Sequence, residues 1–112
     1  MEKILEMAKD LGYTLQEDAR FLKTKAAQEA ADADEALQQM IGEFNLKRMA
    51  INTETAKDDA EKDNEKLATL NRELREVYAQ IMANEHMQAY NEAKTALDKL
   101  TRGMMAILNM AA

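Results

Sequence analysis

The chain contains no cysteine, no proline, no tryptophan and no serine, and only three glycines and five aromatic residues in 112 positions. Without cysteine there can be no disulfide framework, no thiolate-bound zinc, no cysteine-ligated iron–sulfur cluster and no thiol nucleophile. The missing serine removes the commonest hydroxyl nucleophile. So little glycine and proline leaves an all-β sandwich without its turns, which recur every 8–12 residues or so. No run approaches the 18 or so apolar residues of a membrane span, and the charged start MEKILEMAKD is unlike a secretory signal, so a cytoplasmic protein is expected. With 21 acidic against 15 basic residues and a net charge of -6, the summed field repels phosphate, and neither direct nucleic-acid binding nor membrane attachment is expected.

What is present is 46% apolar and 32% charged, rich in Ala, Leu, Glu, Lys and Met. These are helix formers. Ile4, Leu5, Ala8, Leu11, Gly12 and Leu15 fall on one helical face. Asp18 is placed to cap a second helix with Phe21, Leu22, Lys25 and Ala26 on its inward side. Asp32, with Glu35 three residues on, has the spacing of a capping box and predicts a third helix from Ala33. Its stripe is Leu37, Met40, Ile41, Phe44, the stem of Arg48, and Ile51.

From Glu54 to Lys66 there are six acids and three bases and almost no large apolar side chain. Helix and loop both suit this stretch, with Thr53, Asp58, Asp59 and Asp63 as candidate break points. An unbroken helix over 33–82 would be about 75 Å long, against a radius of gyration of about 13 Å for a compact domain of this size. A break turns it into a hairpin. Beyond it Leu67, Leu70, Leu74, Val77 and Ile81 keep the three-four spacing of a coiled-coil seam, with charged residues off the seam. Asn84 reads as a cap, and Met87, Tyr90, Ala93, Leu97, Leu100, Met104, Ile107 and Leu108 form the stripe of a last helix. The expected fold is all-α: about five helices in one domain, 1–112, bundle-like, with a long antiparallel hairpin.

Chemistry is sparse. The single histidine, His86, has alanine at position 83 and tyrosine at position 90, so the Glu-x-x-His and i, i+4 histidine patterns of helical metal sites are missing. It reads as a first-turn surface residue. The acids of 58–65 tile an exterior and lack the spacing of a calcium loop. No cofactor and no metal are expected. The eight methionines after the first suit either gap-filling core or an adaptable partner surface.

Three segments carry a resemblance. KILEMAKDLGYTLQEDARF leads into KAAQEAADADEALQQMIGEF, in which Asp32, Glu35, Ala36, Ile41, Glu43 and Phe44 are the matching positions. LNRELREVYAQIMANEHMQAYNEAKTALDKL contains a helix–Asn–helix corner, with Glu85 where a proline is common, and MMAILNMAA is an apolar tail. Together they resemble the YlbF/YmcA family of small bacterial helical regulators, nearest to its cysteine-free, YheA-like branch.

The resemblance implies a non-enzymatic, dimer-forming cytoplasmic adaptor. Relatives act with partner proteins in competence, sporulation, biofilm formation and RNA maturation by RNase Y. The iron–sulfur role of some members does not carry over to a chain without cysteine. The expected partners are a second copy, as homodimer or higher, and other regulatory or RNA-processing proteins. The interface candidates are Leu67, Leu70, Leu74, Val77, Ile81, Met87, Tyr90, Leu97, Met104 and Leu108. A purely structural coiled-coil module is the alternative, although the Trp-x-Gly turn of secreted helical hairpins is missing. A small all-α enzyme of the chorismate-mutase kind would need Arg20, Arg48, Arg72 and Arg75 to converge on an anion.

Overall fold

The computed structural model describes residues 2–111, which form five helices: α1 (Glu2–Glu17), α2 (Ala19–Ala33), α3 (Glu35–Thr55), α4 (Asn64–Ala83) and α5 (Glu85–Ala111). Among the described residues there is no strand. No helix is long and apolar enough to cross a membrane. The chain divides into two compact units, one from Ala31 to Gln88 and the other from the residues up to Ala30 with those from Ala89 onward.

The Ala31–Gln88 unit is built on the hairpin of α3 and α4. Its core is Ala31, Leu37, Val77 and Ile81, with Met40, Ile41, Phe44 and Met87 packed against it. Leu37 is completely buried, and every large member of this core is a branched aliphatic, a methionine or a phenylalanine. Phe44 meets Tyr78 with ring centroids 6.1 Å apart and planes tilted by 41°, a geometry aromatic pairs favour. Lys47 reaches across from α3 to Glu73 on α4 at 2.6 Å. The expected inward residue Arg48 is instead exposed. One position earlier on the helix is enough to swing the long stem from solvent to the neighbouring helix.

The charged stretch resolves as both helix and loop. Helix α3 continues to Thr55, residues 56–63 turn, and Asp63 caps α4 by accepting from the Lys66 N–H at 3.0 Å. Glu54 closes this turn from inside. Its side chain is only 3% exposed, one oxygen lies 2.6 Å from Lys57 Nζ, and the other accepts from the Asp63 N–H at 3.3 Å. The Lys57 ammonium, against the opposing effect of burial, holds the Glu54 carboxyl below its ordinary range. A carboxylate at the last turn of α3 thus fixes the residue that starts α4.

In the other unit, Asp18 separates α1 from α2 and caps the latter, as expected: the Arg20 N–H donates to it at 2.8 Å. The Arg20 guanidinium clasps the same carboxylate through Nε and Nη2, each at 2.9 Å, and holds it down to about 2. The inward side of α2 differs from expectation. Leu22, Lys25 and Ala26 are exposed and Phe21 is half-buried, whereas Thr24 is buried. Thr24 can be inside because its hydroxyl donates to the Arg20 carbonyl at 2.8 Å and so carries no unpaired polar group into the packing. Gly12, Gly42 and Gly103 lie in open space: a Cβ on any of them would meet no atom within 4 Å.

Removing the side chain of Leu37 empties the centre of the hairpin core. Leu37→Ala is expected to lose about 2–5 kcal/mol of unfolding free energy in urea titration, the range for a fully buried leucine. A loss below about 1 kcal/mol would show that the core does not depend on it.

Candidate interaction surface

Two features of the chain have the geometry to matter beyond the fold. The first is a polar joint within the Ala31–Gln88 unit. Asp34 is the N-cap of α3 and accepts from the Leu37 N–H at 3.1 Å. The expected cap, Asp32, lies inside α2, and α3 begins at Glu35 and not at Ala33. Asp34 wins because its carboxylate has partners that no local spacing reveals. Its Oδ2 also accepts from Asn84 Nδ2 at 3.0 Å and meets His86 Nδ1 at 2.8 Å. A carboxylate only accepts, so Nδ1 of His86 carries the proton.

Asn84 behaves as expected, ending α4 and starting α5. Its N–H donates to the Ile81 carbonyl at 3.1 Å and its Oδ1 accepts from the Met87 N–H at 3.0 Å. One cap therefore holds another. Gln38 completes the joint by donating to the Ala31 carbonyl at the end of α2, at 3.0 Å. His86 sits in the first turn of α5, as expected, but bound to Asp34 and only half-exposed. Among the described residues no three His, Cys, Asp or Glu side chains are grouped to hold a metal ion.

The second feature is apolar surface in the other unit. Helix α1 buries none of its residues, and Ile4, at 70% exposure, Leu5, Met7 and Leu11 stay in contact with solvent. Ile4, Met7, Ala8 and Leu11 line a groove of about 570 Å³ with Leu108 of α5. Near it, Met105, Ile107 and Met110 are exposed. A second groove, of about 460 Å³, runs along α5 past Ala96, Leu100 and Gly103 beside Arg20 of α2.

The residues expected at an interface are divided by the structure. Val77 and Ile81 are buried in the hairpin core, and Leu67, Leu70, Leu74, Met87, Tyr90, Leu97 and Met104 are half-buried. Leu108 is exposed. The uncovered face of α1 was visible as a stripe in the sequence, but not that its stripe would stay outside. Arg48, Arg72 and Arg75 are exposed, and Arg20 is clasped by Asp18.

Residues 4–111 match the family described as control of competence regulator ComK, YlbF/YmcA. The chain belongs to this family. It is also similar to a UPF0342 protein of Caldicellulosiruptor bescii, with 26% identity over 108 residues that cover 96% of this chain and 87% of the relative. No solved structure matches significantly. The family match spans both compact units, including the Asp34–Asn84 joint and the apolar face of α1.

Asp34 has its carboxyl held down to about 2 from an ordinary 3.8, chiefly by the His86 hydrogen bond and then by Asn84 and the Leu37 N–H. A lowered value in the folded state means the stabilisation is complete above the unfolded value and is lost as pH falls through about 2. Asp34→Asn can still cap α3 but has no carboxyl to titrate. Its thermal midpoint is expected to lie below wild type near neutral pH, with the gap closing towards about pH 2.5. A gap that stays constant down to that pH would place the acid sensitivity elsewhere.

Proposed function

We propose that this protein is a non-enzymatic cytoplasmic adaptor that self-associates and works by binding other proteins, in the manner of a family regulator. Membership of the YlbF/YmcA family supports a regulatory role. The observation that carries the binding mode is the continuous apolar face of Ile4, Met7, Leu11 and Leu108, left in solvent by a chain with few buried side chains. Exposed apolar patches of this kind, set among polar residues, mark protein contact sites. Methionines within and beside it, Met7, Met105 and Met110, adapt their shape to more than one partner.

Among the interface residues expected from sequence, Leu108, which is exposed and lines this groove, supports the reading most directly. Partners of the regulatory or RNA-processing kind follow from the family resemblance. A net charge of -6 favours meeting RNA through another protein.

Ile4→Glu combined with Leu108→Glu places two carboxylates in the groove without touching the core. The double variant is expected to melt within a few degrees of wild type, since exposed substitutions change stability little. Affinity capture from the native host should return a regulatory or RNA-processing protein with wild type and lose it with the variant. Equal capture by both would remove this face from the reading, and a folded monomer in sedimentation at micromolar concentration would remove self-association.

A further inference from the structure

The chain has no cysteine, so the thioethers of its nine methionines are the only sulfur it offers to an oxidant. The fold does not treat them alike. Met40 and Met87 are half-buried and packed against the hairpin core, and Met104 is half-buried on α5. Met7, Met49, Met105 and Met110 are exposed. Packing shields a thioether from an oxidant in solution, and exposure delivers it.

Met7 differs from Met49 in its surroundings and not in its access. Each is 61% exposed. Met7 lines the groove of about 570 Å³ with Ile4, Ala8, Leu11 and Leu108, and none of these side chains has a hydrogen-bond donor. Met49, on α3 in the Ala31–Gln88 unit, is not part of that groove.

We propose that Met7 is a reversible oxidation site through which peroxide weakens protein contact at this groove. The inference rests on the reading of the α1 face as a contact surface and names how that contact is regulated. The thioether sulfur attacks one peroxide oxygen, so that an S–O bond forms and the O–O bond breaks. The proton on the transferred oxygen passes to the departing oxygen, which leaves as water. Sulfur gives up two electrons and the peroxide takes them. The sulfoxide is polar and accepts hydrogen bonds, where the thioether was a flexible apolar group. In the free chain water solvates the new oxygen, so the fold is kept. Under the apolar surface of a partner it must shed that water, and the lining side chains give it no donor in exchange. A thiol-dependent sulfoxide reductase restores the thioether, its thiols supplying two electrons and the oxygen leaving as water.

Hydrogen peroxide treatment followed by peptide mass spectrometry reads the site. Met7 should gain an oxygen about as fast as Met49 and well before Met40 and Met87, with the thermal midpoint of the protein little changed. Retention of the folded protein on a phenyl matrix reads the groove with no partner present. Oxidation should shorten the retention of wild type and of Met49→Leu more than that of Met7→Leu, which keeps an apolar side chain that peroxide leaves alone. A partner captured by reduced wild type should bind oxidised wild type about tenfold more weakly, and reductase treatment should restore it. Oxidised Met7→Leu should hold the partner as reduced wild type does. The inference is overturned by oxidation of Met7 no faster than of Met40 and Met87, by equal retention losses in the two leucine variants, or by capture that oxidation leaves unchanged. If reduced wild type and the Ile4→Glu, Leu108→Glu variant capture a partner equally, the contact reading itself fails and the regulation falls with it, whatever the retention shows.

Discussion

The carboxylate of Asp34 is the contact on which the arrangement of the hairpin unit depends. It caps α3, accepts from Asn84 and binds His86, joining positions that are 50 and 52 residues apart in the chain. Asn84 in turn caps α5, so the start of one helix is tied to the start of another by a single hydrogen bond between their caps. Three donors converging on a half-buried carboxylate make it far more acidic than a free aspartate, and its removal would leave each of them to find another partner. Core residues Ala31, Leu37, Ile81 and Met87 come from the same stretches of chain as the joint. Polar joint and apolar core thus position the same helix ends.

At the far end of the hairpin a second carboxylate does comparable work. Glu54 holds the N–H of Asp63, and Asp63 caps α4. Between these two joints the helices are linked by a narrow core, the Phe44–Tyr78 ring contact and the ion pair of Lys47 with Glu73. A small chain has a limited interior, and in this one much of the remaining apolar side-chain area on α1 and α5 stays at the surface. Polar joints fix the hairpin, and apolar faces of α1 and α5 stay exposed.

Much of the fold was legible because helix periodicity is a local signal. The five helices, the cap at Asn84 and the cap at Asp18 all follow from spacing within a few residues, whereas residues 54–66 suited helix and loop alike and only the fold placed the turn at 56–63. What was not legible involves pairs far apart in sequence. Asp32 has the capping-box spacing, yet Asp34 caps α3, and that choice rests on Asn84 and His86. Glu54 looks like one more acid in a solvated run until the hairpin folds it under Lys57 and Asp63. Lys47 and Arg48 both offer a long stem, and the position of Glu73 decides between them. Thr24 takes an interior place that Leu22 seemed better suited to, because a threonine hydroxyl can satisfy itself on its own helix.

The sequence by itself determined an all-helical chain with no cysteine or serine side chain to react, since residue types and local periodicity suffice for both. Only the tertiary structure decided which apolar stripes became interior. Val77 and Ile81 entered the hairpin core, while the equally regular stripe of α1 remained outside. A stripe records that a helix has a face to bury, but whether that face is covered depends on contacts between residues far apart in the sequence.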